Sequence, residues 1–373
     1  MSVTLFYDVL DRDGDTLATF PLEEPRVTYR LSGVGDCSLA VALSHPELSD
    51  VVFGPKRTDF KVRMVSDVSG GDGDLMGGMC APVALKSGED RVRVGGNDWL
   101  AWLEQPYPFP GYLTDPETWT SEDVIKYWVE ESQQTIIEDV LEEIYDGTIE
   151  TIQYEPVFIG TGWLQEVDLQ FIQLGDTQNI IDFIRSVGGL VEPYGFDFVC
   201  DPDKNIFFYA PRRVTAENAM PIALFTPSAE TGLIEIDWQN NGPLSTAAVG
   251  MPTAALMKYH SYTPSRVMFR KWLEIIPLNE YYKTDFQAQQ ATNDIGGLHS
   301  NPQKDNTITI LPHYMDPFDE CAGFYNHCGQ VVYVDSEDEF EPYHKIDAPY
   351  IVTEQEITWQ GDWVCKLVLD QIY

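Results

Sequence analysis

Residues 176–213 read Asp-Thr-Gln-Asn-Ile-Ile-Asp-Phe-Ile-Arg-Ser-Val-Gly-Gly-Leu-Val-Glu-Pro-Tyr-Gly-Phe-Asp-Phe-Val-Cys-Asp-Pro-Asp-Lys-Asn-Ile-Phe-Phe-Tyr-Ala-Pro-Arg-Arg. Ile180, Ile181, Phe183, Ile184 and Val187 fall on one face of a 3.6-residue period, so the first part is expected to be a short amphipathic helix. Asp176 is the expected N-cap, and Gly188 and Gly189 the left-handed stop. In the second part Phe196 and Phe198 alternate with polar neighbours. Asp201-Pro202-Asp203-Lys204 turns, and Asn205–Tyr209 returns as the partner strand of a hairpin. This helix–hairpin unit separates a β-rich front half from a β-rich back half.

At 373 residues the chain is long enough for two or three domains. No apolar run approaches the roughly 18 residues that a membrane helix needs. The N-terminus lacks a basic region followed by an apolar one, so the expected chain is made and folded in a cytoplasm, without membrane insertion. Sixty acidic residues against 23 basic ones leave a formal charge of −37. That argues against a stable nucleic-acid interface, which needs a basic footprint. It suits a surface that must not adhere to DNA, a host living at high salt, or plain solubility.

The front half reads as successive strands at Val3–Leu10, Thr16–Phe20, Val27–Leu31, Ser38–Leu43 and Asp59–Asp67. Asp11-Arg12-Asp13-Gly14-Asp15 has the composition of a calcium loop, but its glycine is fourth and no helices flank it, so a hairpin turn is expected. Gly70–Gly78 reads as a flexible loop. Strands follow at Met79–Leu85 and Arg91–Gly95, then a short helix at Gly96–Leu103, with the Pro-rich segment Gln105–Pro110 ending the first unit.

Thr120–Gly147 is expected to form one helix, capped by Ser121 with Glu122 and Asp123 in its first turn. Ile125, Val129, Ile136, Val140 and Ile144 mark its apolar face. Glu130, Glu131, Glu138, Asp139, Glu142 and Glu143 read as a solvated acidic face, not as catalytic carboxylates. An extended segment is expected over Ile149–Gly160. In the back half, strands are expected at Leu233–Trp238, Ser245–Gly250, Ala255–Tyr262 and Met268–Leu278, with a short helix at Phe286–Asn293. Tyr350–Trp359 and Trp363–Tyr373 form a terminal hairpin about Gln360-Gly361-Asp362. The fold class is therefore α+β and mainly β, with two β-barrel-like domains (1–113 and 236–373). They bracket an acidic helical segment (114–175) and a helix–hairpin αβ domain (176–235).

No catalytic signature appears: no nucleophile elbow, P-loop, zinc-protease motif or dinucleotide fingerprint. His45, His260, His299, His313, His327 and His344 are scattered and read as structural residues; Cys–His catalysis by Cys328 with His313 or His344 has nothing to single it out. Cys37, Cys80, Cys200, Cys321, Cys328 and Cys365 read as buried free thiols, with a Cys321–Cys328 disulfide or a metal held there as alternatives. The acid run Asp335–Glu341 reads as an exposed loop or a weak cation site. No catalytic, cofactor-binding or metal residue is assigned, and no cofactor.

Three stretches carry a likeness. The segment from Val27 through Gly33-Val34-Gly35 to Leu43 is similar to an early hairpin around a small-residue turn. Arg91–Leu103 looks like the strand-into-helix that ends a first barrel, and Asn179–Tyr209 like the helix and hairpin of a middle domain. In this order of parts the chain resembles the tail-hub (baseplate-hub, minor tail) proteins of long-tailed phages and archaeal tailed viruses. The resemblance implies a non-enzymatic structural virion protein of the tail, assembled in the host cytoplasm. It implies a homotrimer whose two β-barrel-like domains per subunit make a pseudo-sixfold ring between tail tube and three-fold tip. The implied partners are distal tail and tail-tube proteins, tail-tip or fibre proteins and the tape measure protein, with DNA only in transit through an acidic lumen. A carbohydrate-binding or glycan-cleaving tail-tip protein is the alternative, motivated by nine tryptophans and 19 tyrosines.

Overall fold

The structure is a computed structural model, and it describes residues 3–21, 23–48, 58–67, 72–83, 90–104, 125–144, 153–160, 166–172, 179–189, 196–210, 221–227, 232–243, 247–253, 256–261, 273–276, 289, 292, 302–315, 321–336 and 346–371. The chain begins with seven strands: β1 (Val3–Leu10), β2 (Thr16–Pro21), β3 (Glu23–Arg30), β4 (Asp36–Ala42), β5 (Asp59–Ser66), β6 (Gly73–Cys80) and β7 (Arg91–Asp98). A 3-10 turn, Trp99–Glu104, follows. The middle holds β8 (Ile125–Ser132), α1 (Gln133–Ile144), β9 (Glu155–Gly160), β10 (Glu166–Ile172), α2 (Ile180–Gly189), β11 (Asp197–Cys200) and β12 (Asn205–Ala210). The remainder comprises β13 (Ala223–Phe225), β14 (Leu233–Pro243), β15 (Ala247–Thr253), β16 (Leu256–Ser261), β17 (Leu273–Ile276), β18 (Pro302–Ile310), β19 (Val331–Asp335), β20 (Asp347–Trp359) and β21 (Trp363–Gln371).

Thirteen strands make one sheet in the order β14-β18-β21-β20-β3-β4-β7-β6-β5-β1-β2, with β19 and β13 branching from β20. The pairing is antiparallel throughout except between β13 and β19. β20 is the organising strand. One of its edges pairs along its length with β21, forming the expected terminal hairpin. The other edge is shared: Asp347–Ile351 pair with β19, and Glu354–Thr358 pair with β3. At the changeover, Val352 N–H reaches the Gln330 carbonyl (2.9 Å) and Thr353 C=O accepts from Leu31 N–H (2.9 Å).

Front and back strands thereby share one core. Leu5, Tyr7, Phe20, Val27 and Phe60 lie in the same buried cluster as Ile308, Ile310, Val332, Val352 and Leu367. Two closed barrels are not seen; among the described residues the sheet path ends at β2 and β14. The fold is mostly β, with few helices. Smaller sheets are β10-β8, β11-β12-β9 and β16-β15-β17.

The expected single helix over 120–147 is corrected: its first described part is β8, and α1 starts only at Gln133. Ser132 marks the break, its Oγ accepting from Thr135 N–H (3.1 Å) as an N-cap. Ser121, Glu122 and Asp123 lie outside the described residues, as do Gln105–Pro110. The loop expected over 70–78 is also corrected, since Gly73–Cys80 is β6. Its glycines serve close approach: a Cβ on Gly78 would stand 2.0 Å from Asn97 C=O of β7, and one on Gly77 2.6 Å from Pro202 C=O. β6 stops short of the strand expected to run to Leu85. β7 continues through Gly96–Asp98, where helix was expected. Within Phe286–Asn293 only Gln289 and Thr292 are described, both helical.

A second core forms around the helix–hairpin unit. Ile180, Ile181, Phe183, Ile184 and Val187 of α2 pack with Ile136, Ile137 and Val140 of α1, with Trp99 and Leu100, and with the hairpin. The N-cap is Asn179, whose Oδ1 accepts from Asp182 N–H (2.8 Å). Asp176, the expected cap, lies outside the described residues. β11 and β12 form the expected hairpin, with β9 added in parallel beside β12. Phe208 is its centre: fully buried, with its ring 5.3 Å from Phe158, 5.4 Å from Phe196 and 5.7 Å from Phe198. Phe208→Ala is expected to cost about 3–5 kcal/mol, by transfer plus cavity terms. Urea denaturation measures this; a loss below about 1 kcal/mol would show that the second core is not tightly packed.

Candidate assembly surface

Where they are described, the residues that the sequence offers for chemistry are held in structural contacts. Cys328 is buried, and burial pushes its thiol far above the ordinary range. His313 leans on Tyr314 instead (4.7 Å between rings), and His344 lies outside the described residues. Cys321 and Cys328 are both free thiols, so the disulfide alternative is corrected. The His327 ring spans Gln330 Oε1 (2.6 Å) and the Ala322 carbonyl (2.7 Å), holding a loop. Among the described residues no three His, Cys, Asp or Glu side chains gather as a metal-ligand set. Of the acid run, residues 337–341 lie outside the described residues.

Aspartates are used by turns. Asp11 Oδ1 accepts from Asp13 and Asp15 N–H (both 3.0 Å), building the β1–β2 hairpin. Asp201 repeats the device with Asp203 and Asn205 N–H (both 2.9 Å) in the β11–β12 turn. Both are Asx-type turns, in which a carboxylate satisfies backbone donors that the tight reversal leaves without a carbonyl.

What the geometry does build is a joint between helix–hairpin unit and main sheet. Ser32, in the β3–β4 turn at φ 50°, donates its N–H to Phe198 C=O (2.8 Å) and accepts Phe198 N–H on its Oγ (3.1 Å). The hydroxyl donates to Asp197 Oδ1 (3.2 Å), and Arg185 of α2 donates to Ser32 C=O (2.7 Å). At the far end of the hairpin, Trp99 Nε1 donates to Pro202 C=O (2.9 Å), and Lys204 sits 4.6 Å over the Trp99 ring. The unit is therefore anchored at both ends. Ser32 and Arg185 had no motif to announce them, and serine has no left-handed preference that would mark the turn.

The exposed features are edges. β2, β13 and β14 each pair on one side only among the described residues. Leu224 of β13 (55% exposed), Ile222 just before it and Ile234 of β14 (55%) face solvent. Tyr314, also exposed, stands against Gly232 at the entry to β14. Unpaired strand edges with outward apolar side chains are templates for another chain. No helix among the described residues is long and apolar enough to cross a membrane.

No family model matches the sequence, and no curated protein matches it. Solved structures do. The chain is similar to the 43 kDa tail protein of prophage MuSo2 from Shewanella oneidensis, with TM-score 0.65, 11% identity, and 99% of this chain and 98% of that one covered. It is similar to a tail protein from Neisseria meningitidis MC58 (TM-score 0.62, 11% identity, 100% and 98% covered). A third is the prophage tail protein gp18 from Listeria monocytogenes EGD-e (TM-score 0.54, 10% identity, 99% and 95% covered). The fold is that of phage tail proteins, from end to end.

One buried carboxyl beside the joint is shifted into an informative range. Asp98, at the end of β7, is buried and accepts Gly35 N–H (2.8 Å) and Leu100 N–H (3.1 Å). Burial pushes its carboxyl up to about 7, against the opposing pull of those two N–H groups and of Arg30; Asp36 adds to the rise. Because the folded value lies above the ordinary carboxylate value, the folded chain binds this proton more tightly than the unfolded chain. Asp98 therefore makes stability fall as pH rises from about 4 to about 7, levelling off above that. Asp98→Asn is expected to flatten that part of the stability–pH curve in denaturant titrations while lowering stability at every pH, since an amide N–H would face a backbone N–H. An unchanged slope would show that the charge is relieved elsewhere.

Proposed function

We propose that this chain is a structural component of a virion tail: a hub that joins the tail tube to the tail tip as a homotrimer. The observation that carries the reading is the full-length fold match to prophage tail proteins, together with a chain in which chemistry-bearing side chains serve turns and packing. In this reading the two halves, 1–113 and 236–373, act as paired barrel-like rims around the segments 114–175 and 176–235. Three copies close a ring whose partners are distal tail and tail-tube proteins above, tip or fibre proteins below, and the tape measure protein within.

The charge supports a conduit. With 60 acids and 23 bases, at least 37 carboxylates have no base to pair with one to one. A lumen lined by such groups repels DNA phosphates, so a genome slides past instead of adhering. The apolar residues at two separate edges, Leu224 of β13 and Ile234 of β14, supply surfaces for subunit contact.

Images of the assembled particle test the reading: density for this chain is expected in a three-fold ring between tube and tip. Particle images that place it outside any three-fold ring would overturn the hub role. Leu224→Glu with Ile234→Glu is expected to leave the purified subunit's melting temperature within a few degrees and to remove it from particles. Incorporation at the wild-type level would remove both edges from the assembly.

A further inference from the structure

At the tip of the β20–β21 hairpin, far in sequence from the helix–hairpin joint, two tryptophans flank a three-residue turn. Gly361 turns at φ 93°, Gln360 N–H donates to Asp362 C=O (2.9 Å), and Asp362 Oδ1 accepts Trp363 N–H (2.8 Å). Trp363 is an anchor, 8% exposed, its indole N–H on Val3 C=O (3.2 Å) and its ring edge-on to Phe324 (5.4 Å). Trp359 packs edge-to-face against it at 5.2 Å and remains 46% exposed. The anchor thus holds a large apolar ring at the surface, where solvation alone gives no reason to keep one.

Trp359 and Trp363 line an open groove of about 330 Å³ together with Val3, Thr4, Leu5, Glu23 and Glu24. Arg91 holds both glutamates, 3.5 Å from Glu23 and 3.2 Å from Glu24, and Glu24 has a left-handed backbone (φ 47°). Glu23 and Glu24, both tied to Arg91, together with Thr4 and an indole with exposed surface therefore border one shallow space. Its volume is at the low end of the roughly 300–1,000 Å³ of small-molecule sites.

We propose that this groove binds a neutral pyranose, as one residue of a surface glycan. A pyranose has an apolar C–H face that stacks on an indole and a rim of hydroxyls that donate to carboxylates. Carboxylates are strong acceptors for such hydroxyls. An organic cation fits less well, because Arg91 already occupies the glutamates and leaves the trio with a net charge of only −1. The groove is open, so the rest of a glycan chain continues into solvent. This site goes beyond the structural role and does not depend on it.

The test uses the purified full chain with glucose, galactose, mannose, rhamnose and N-acetylglucosamine and their soluble oligomers. The readouts are saturation-transfer NMR and tryptophan fluorescence. At least one sugar is expected to receive saturation and to shift the emission. Trp359→Ala is expected to lower its affinity at least tenfold, Trp359→Phe to retain part of it, and Glu24→Gln to lower it several-fold. Each variant is checked for an unchanged far-ultraviolet spectrum and melting temperature. The proposal is overturned if no sugar in the panel transfers saturation, or if Trp359→Ala binds as the wild type does. It is equally overturned if tetramethylammonium binds the groove more tightly than every sugar of the panel, or if Trp359→Ala changes only the oligomer mass, which would make the groove a subunit contact.

Discussion

Everything in this molecule hangs on one edge of β20. A strand usually offers each edge to one neighbour; here one edge is divided between β19 and β3, while the ladder to β21 on the other edge shifts register at Val352–Glu354. The β3 pairing is the only described ladder that joins the N-terminal strands to the C-terminal ones. Two ion pairs straddle it, Arg26 to Glu356 (2.7 Å) and Arg30 to Glu354 (3.0 Å). Partly exposed pairs of this kind add roughly 0–1 kcal/mol each, so their larger effect is on register. A slip of one residue would send Val27 and Ile357 from core to solvent and part both pairs.

The same seam places the middle of the chain. Arg30 also reaches Asp36 (2.9 Å) and the Val34 carbonyl (2.6 Å), fixing the β3–β4 turn in which Ser32 grips the helix–hairpin unit. A loop that includes Phe324 and His327 lies across the same strands. Buried Tyr29 donates toward the Leu75 and Phe324 carbonyls (3.2 and 3.1 Å), and Gln355 bonds Gly323 C=O and His327 N–H (both 2.9 Å). Few bases are available in so acidic a chain, and several of them stand where strands meet: Arg63 on Asp8 across β5 and β1, Lys61 on Asp74 across β5 and β6.

Local structure was legible where pattern and turn chemistry agree. The apolar face of α2, the β11–β12 reversal and the terminal hairpin all carry their periodicity and their turn residues within a few positions. Residues 125–132 misled because Ile125 and Val129 satisfy a helical spacing while Ile125, Tyr127 and Val129 equally satisfy a strand's alternation. β-branched and aromatic residues tip the balance to strand, and Ser132 then caps α1. Residues 73–78 misled because glycine usually marks a loop, whereas here neighbouring backbones come too close to Gly77 and Gly78 for any side chain. The joint at Ser32, the buried Asp98 and the Trp359 groove each join residues tens to hundreds of positions apart, and no local period records such meetings.

The pairing of Arg30 with Glu354 spans 324 positions, which sets an order of events during synthesis. At about 5–20 residues per second, β3 emerges roughly 15–65 s before the strand that covers its edge. For that interval the nascent front half carries an open, extended edge, and it must wait for almost the whole chain before its sheet is complete. Non-local pairing of this kind is slow to form and exposed to wrong partners meanwhile. Arg26 and Arg30 on that edge keep it charged until Glu354 and Glu356 arrive, so the groups that later set the register first guard the strand against its neighbours on the polysome.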